Sequence, residues 1–174
     1  MRFRERIDFT IWGVPQSWQR VKRAAQGHAY MPKQTRDFQN RIKDRIQENW
    51  PEDLSPHNDP ALLQLTAFFP VPISWPKWKL DAFNIDPSLF PFITTPDSDN
   101  VAKNIMDAAD KLLIENDARV CDLLIRKRYS LKPRIEVTWW LFHSTTKEEV
   151  AELAGQAPAE AAPKERTQLD LWAD

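Results

Sequence analysis

Four side chains in the middle of the chain have the types and spacing for phosphate chemistry: Asp97, Asp99, Lys103 and Asp117. Asp97 and Asp99 bracket the start of a predicted helix and Asp117 precedes the next predicted strand. A short turn over 113–116 would then bring the three carboxylates to one end of the helix and strand. Oxygen ligands suit Mg²⁺, with Mn²⁺ as a substitute, because these hard ions keep several waters and accept one or two carboxylates plus a substrate phosphate. Such an ion polarises a phosphorus centre and generates hydroxide from bound water. Lys103 projects one helical turn beyond Asp99 on the same face, where its ammonium could offset charge building on a phosphate. An ordinary structural role fits the same residues. Asp97 is a natural N-cap, Asp99 is favoured by the helix dipole and forms an i,i+4 pair with Lys103, and Asp117 suits a turn. Spacing alone does not choose between the two.

Other metal chemistry finds no donors. The single Cys121 cannot form an internal disulfide and is expected to be a small buried apolar residue. His28, His57 and His143 stand apart, with no zinc-ligand spacing, and His28 is too isolated to serve as a general base.

Net charge is −1, but it is unevenly spread. Residues 1–50 hold 11 Lys/Arg against 5 Asp/Glu, whereas residues 145–174 hold 3 against 7. A basic arm beside an acidic cluster is a layout that holds phosphate near a cation. There is no apolar run of 18 residues and no hydrophobic stretch at the N-terminus, so a soluble, cytoplasmic protein with no membrane partner is expected.

The elements that must position the acids follow from periodicity. Ile7, Phe9 and Ile11 alternate with polar residues as in a half-buried strand that Gly13 and Pro15 end. Gln16 to Pro32 reads as a basic loop carrying Arg20, Lys22 and Arg23. A helix is predicted from a capping Thr35, with Asp37 in its first turn and Phe38, Ile42 and Ile46 on one face. Leu62 to Phe69 is a strand. Residues 70–96, with six prolines among Trp75, Trp78, Phe83, Phe90 and Phe92, read as a long loop. Val101, Ile105, Ala109 and Leu112 stripe the helix that begins at Asp97. Two strands, 119–129 and 134–142, are predicted to pair as a hairpin around Ser130 to Pro133. The fold class is α+β: a mixed sheet of about four strands with two main helices. Residues 1–144 form the domain and 145–155 a short helix with a capping box at Thr146 and Glu149, ended by Gly155. Residues 156–167 form a disordered linker and 168–174 a docking peptide.

The ordered motif Thr95-Pro96-Asp97-Ser98-Asp99-Asn100, Lys103, Asp107-Ala108, Asn116-Asp117-Ala118-Arg119-Val120 and Lys127-Arg128-Tyr129 resembles the signature of the RusA family of Holliday junction resolvases. Gly13-x-Pro15, Tyr30-x-Pro32, Thr35 and Phe69-x-x-Pro72-x-Ser74-Trp75 extend the match over roughly residues 7–142. The resemblance implies a homodimeric, Mg²⁺-dependent endonuclease of bacterial or phage origin that binds branched DNA and makes paired nicks. On it, Asp97, Asp99 and Asp117 take the places of the catalytic, metal-holding aspartates and Lys103 that of the essential lysine, with Asn100 at the DNA. Departures are Asn116 and Arg119, in place of an Asp and a Gln, and Asp110-Lys111 where Asn-Gly is usual.

Electrostatics assigns phosphate contacts to Arg20, Lys22, Arg23, Lys77 and Lys79, and base stacking to Trp75, Trp78 and Phe83. Trp139 and Trp140 suit a core or a dimer interface. At the end of the chain, Gln168, Leu169, Leu171 and Trp172 resemble the pentapeptide by which replication and repair proteins dock on the bacterial sliding clamp. Two leucines and an aromatic would fill an apolar groove while Gln bonds at its edge. The opposing functional class is a non-catalytic, clamp-tethered protein that binds branched DNA.

Overall fold

Alternating apolar residues build a four-stranded sheet whose one face is closed by two helices. The computed structural model describes residues 2–20, 22–23, 29–50 and 55–156. Strand β1 (Arg2–Trp12) buries Ile7, Phe9 and Ile11. The basic segment that follows is more structured than a loop, since β2 (Lys22–Arg23) pairs antiparallel with β3 (Ala29–Tyr30). Helix α1 (Lys33–Asn49) begins two residues before the expected cap: Pro32 occupies the N-cap position, where its missing N–H costs nothing. Thr35 therefore lies inside the first turn, fully buried with its hydroxyl unpartnered, and no acid stands in that turn. Phe38, Ile42 and Ile46 face the core, each contributing roughly 1.5–3 kcal/mol of burial.

Strand β4 (Ala61–Pro70) is the centre of the sheet, and every second residue from Ala61 to Phe69 is buried. The stretch expected to be a long loop instead contains helix α2 (Lys77–Ile85) and a 3-10 turn at Pro87–Leu89. Its prolines sit at the boundaries, Pro76 before the helix and Pro87 after it, and not inside. Helix α3 (Ser98–Ala109) packs on α1 and buries Val101, Ala102, Ile105, Ala108 and Ala109. Lys111 just beyond it has φ 59°, the left-handed conformation that usually selects glycine at a helix end, and its ammonium pairs with Glu115 at 2.7 Å.

Strands β5 (Val120–Ser130) and β6 (Arg134–His143) do not form the expected hairpin. The strand order is β1-β6-β4-β5, with β4 between them, parallel to β5 and antiparallel to β6. The chain from β4 through α3 to β5 is a crossover, which imposes a parallel pair. The link 131–133 then steps over the end of β4, about 10 Å across two strand spacings, within reach of three residues. Gly13 closes the neighbouring end: its N–H bonds Pro133 O at 3.0 Å with φ 109°, and an added Cβ would meet the Arg41 guanidinium at 3.4 Å.

Helix α4 (Lys147–Gln156) has the predicted capping box, with Thr146 N–H on Glu149 Oε2 at 3.0 Å and Glu149 N–H on Thr146 Oγ1 at 3.3 Å. It runs through Gly155 instead of ending there. No helix among the described residues is long and apolar enough to cross a membrane. The linker and docking peptide assigned to 156–174 lie outside the described residues, apart from Gln156 at the end of α4.

Candidate functional site

Helix α3 runs antiparallel to the strands it covers, and this decides where its acids go. Asp97 is the N-cap residue of α3 and Asp99 lies in its first turn, at the end of the sheet where β5 finishes. Lys127 of β5 reaches this end. Its ammonium donates to Thr94 O at 2.8 Å and Pro96 O at 2.9 Å, fixing the segment that leads into Asp97. Asp117 opens a 3-10 turn just before β5, at the opposite end, where it shares a hollow of about 180 Å³ with Met106, Asp107 and Asp110. The three expected carboxylates therefore do not meet within one chain. Asp99 and Asp107 are eight residues apart, about 12 Å along the axis. Among the described residues no three His, Cys, Asp or Glu side chains form a ready-made metal-binding group.

What the structure brings together is a stripe. Asp99, Lys103 and Asp107 follow at i, i+4 and i+8 on one face of α3, and Asp117 stands beside the last of them. Of the ordinary roles of the first two acids, only the favourable place of Asp99 in the first turn of the helix is realised. Asp97 makes no side-chain cap hydrogen bond, and Asp99 is in no ion pair among the described residues. Lys103 turns its ammonium to the Trp18 ring, 4.1 Å from the centroid. Burial pushes the carboxyl of Asp107 up from its ordinary range, and the charges of Asp117 and Asp110 add to this while Trp18 and Lys103 oppose it. Gln39 Nε2 stands 3.5 Å from Asp107 Oδ2. The side-chain donors are all oxygens, from Asp97 and Asp99 at one end of the stripe and from Asp107, Asp110 and Asp117 around the hollow at the other, a chemistry that suits Mg²⁺ sharing its shell with water and phosphate.

The segment 14–20 lies across α3. Trp18 N–H bonds Asn100 O at 3.2 Å and the buried Asn104 donates Nδ2–H to Gln16 O at 2.9 Å. Asn100 is thus half-buried beside this segment, and Arg20 stands exposed at its end. Lys22 and Arg23 form β2, while their side chains and His28 are outside the described residues. Lys77 is exposed at the start of α2, but Lys79 lies over Trp75 at 4.0 Å and Phe90 at 5.3 Å. Of the three aromatics expected to stack on bases, only Trp78 is open, 67% exposed. Phe83 is buried, and half-buried Trp75 packs edge-on against Phe83 and Tyr129 and tilted against Phe90. Trp139 is core, and Trp140 packs on Phe3 beneath the Arg6 guanidinium. Cys121 is exposed, contrary to expectation, because it lies at the start of β5, an edge strand of the sheet. The Gln168, Leu169, Leu171 and Trp172 peptide lies outside the described residues.

Three residues at the site went unassigned in sequence reasoning. Asp107 had a signal, since it continues the Asp99 and Lys103 spacing by one turn. Lys127 stands in the motif that carries the resemblance, although the backbone carbonyls it binds are not legible there, and Trp18 had no signal, because its partner is a lysine remote in sequence.

Two comparisons bear on this surface. The family model described as Endodeoxyribonuclease RusA matches residues 12–139. The uncharacterized protein YqaN of Bacillus subtilis (strain 168) is 28% identical over 134 residues, spanning 75% of this chain and 93% of its own length.

Proposed function

The chain belongs to the RusA endodeoxyribonuclease family, and on that premise we propose that it resolves Holliday junctions or related branched DNA by paired phosphodiester hydrolysis in recombination and repair. The observation that carries this is the stripe Asp99, Lys103, Asp107 with Asp117 beside it, whose carboxylates are not consumed by caps or ion pairs. Mg²⁺, or Mn²⁺ in its place, would supply Lewis-acid polarisation and an activated water when bound. Asp107 and Asp117 at one end of the stripe, and Asp97 and Asp99 at the other, would offer the oxygens that hold such an ion, each end separately. Lys103, exposed between them, presents its ammonium to a non-bridging phosphate oxygen and offsets charge gathered during displacement. Arg20, Lys22, Arg23 and Lys77 take backbone phosphates, which gives affinity without sequence choice, and Asn100 lies at the DNA. Lys79 is a weaker candidate because its charge is held on aromatic faces. Trp78 offers a ring to an unpaired base at the branch.

Two nicks require two sites, and a homodimer supplies them. The outer edge of β5 is where we place the contact. Among the described residues its only partner there is the isolated bridge of Arg128 with Pro91, and Leu123 and Leu124 are 45% and 42% exposed. The peptide Gln168, Leu169, Leu171 and Trp172 would tether the enzyme to the sliding clamp.

A four-way junction incubated with Mg²⁺ tests the central reading. Asp97→Asn and Asp117→Asn should each lower cleavage at saturating protein by at least about 100-fold while junction binding persists, because a carboxylate is lost and no positive charge is removed. Wild-type protein that binds junctions and never cuts them would support the non-catalytic accessory role instead.

A further inference from the structure

Lys103 sits between two acids, Asp99 one turn before it and Asp107 one turn after, and pairs with neither. A lysine has four rotatable side-chain bonds, and i,i+4 carboxylates on both sides are its default partners on a helix. Collapse onto either one would neutralise a group required for the cation and withdraw the ammonium from phosphate. Instead the ammonium lies 4.1 Å from the centroid of the Trp18 ring. The ring does not rest there by chance of surface packing. The Trp18 backbone N–H is bonded to Asn100 O in the first turn of α3, and Gln16 O takes a hydrogen bond from fully buried Asn104, so the segment is fixed to the helix on both sides of Lys103. The buried indole nitrogen faces Asp107, whose carboxyl it helps hold down, and this edge-on placement leaves the ring face to Lys103.

We propose that Trp18 is the positioning residue of this nuclease site, its indole face seating the Lys103 ammonium away from Asp99 and Asp107 so that it stays available to phosphate. An aromatic face attracts a cation through its quadrupole without cancelling its charge, and a carboxylate would cancel it. The seat also links the first basic segment to the catalytic helix, since Arg20 follows two residues after Trp18. The inference rests on the proposed catalytic role of Lys103, and its test separates the two.

Junction cleavage in a single turnover, junction affinity without divalent ion, and the ¹³Cε–¹Hε resonance of Lys103 are measured in wild type, Trp18→Ala, Trp18→Phe and Lys103→Ala. In wild type the Lys103 resonance should lie upfield of the other lysines through the indole ring current, and Trp18→Ala should return it to the common position. Trp18→Ala should cleave about tenfold or more slowly with affinity changed less than about twofold, and Trp18→Phe, which keeps a ring face, should recover to within about threefold of wild type. Should Trp18→Ala fold poorly by circular dichroism, the wild-type resonance and the Trp18→Phe rate still decide. An unshifted wild-type resonance, or undiminished cleavage by Trp18→Ala while Lys103→Ala is inactive, overturns the positioning role. Normal cleavage by Lys103→Ala beside a shifted wild-type resonance overturns only the catalytic role on which it rests.

Discussion

His57 is held in one tautomer by its neighbours. An Arg4 guanidinium nitrogen lies 3.3 Å from Nδ1, and because a guanidinium only donates, Nδ1 must accept. Nε2–H then faces Pro60 O, also at 3.3 Å. A second proton would point at Arg4 from a ring that is 2% exposed. Burial above all, with help from the Arg4 and His143 charges, therefore keeps the His57 pKa below its ordinary value, against the pull of Pro60 O and Asp59. The stability this contributes is fully present above the unfolded pKa of about 6.5 and is lost as pH falls below it, where the unfolded chain takes up a proton that the folded one refuses. The ring's own backbone ties residue 57 to the connection before Asp117, with His57 N–H on Leu113 O and Glu115 N–H on His57 O. Urea unfolding at pH 7.5 and pH 5 should show a smaller loss for His57→Gln than for wild type; equal losses would remove His57 as the cause. At this scale the types of Asp97, Asp99, Lys103 and Asp117 were readable because spacing along a helix is a sequence property. Trp18 was not, because nothing in Gln16-Ser17-Trp18 announces which helix that segment will lie across.

Elements were legible where burial on one face leaves a period. The alternation in β1, β4 and β6 and the stripes of α1 and α3 survive into the structure. The misplaced hairpin has its origin in pairing, which periodicity does not encode, whereas α2 was hidden by prolines that sit at its boundaries. Strands β5 and β6 are joined by three residues, as in a hairpin, yet the completely buried alternate positions of β4 claim the place between them. That leaves β5 as an edge, and its consequence is testable. Two identical edges pair about a twofold axis, which makes them antiparallel, and a charge on such an edge opposes addition of a second strand. Sedimentation equilibrium should find wild type dimeric at micromolar concentration and Leu124→Lys shifted toward monomer with its circular dichroism unchanged. A monomeric wild type would place the two sites of action elsewhere than on paired β5 edges.

At the scale of the molecule, the near-zero net charge conceals a basic first third and an acidic end, and that division was visible in composition. Convergence of the three aspartates at one point was not correctly foreseen, because the direction of α3 relative to β5 separates the ends of the helix by its own length. The terminal peptide makes a prediction independent of the fold. Deleting residues 168–172 should abolish capture by the sliding clamp and leave cleavage of free junctions within about twofold, since a short linear motif binds through its own side chains; undiminished capture would refute it.

Strand β1 bonds only to β6 within the four-stranded sheet, and the two are separated by almost the whole domain. During synthesis β1 thus has no neighbour in that sheet to zip against until residues 134–143 have followed. Helix α1 can form early as local structure, but the sheet cannot close around it before then. Assembly is consequently a late event, governed by long-range encounter, and a ribosome stalled anywhere before β6 would display Ile7, Phe9 and Ile11 to chaperones.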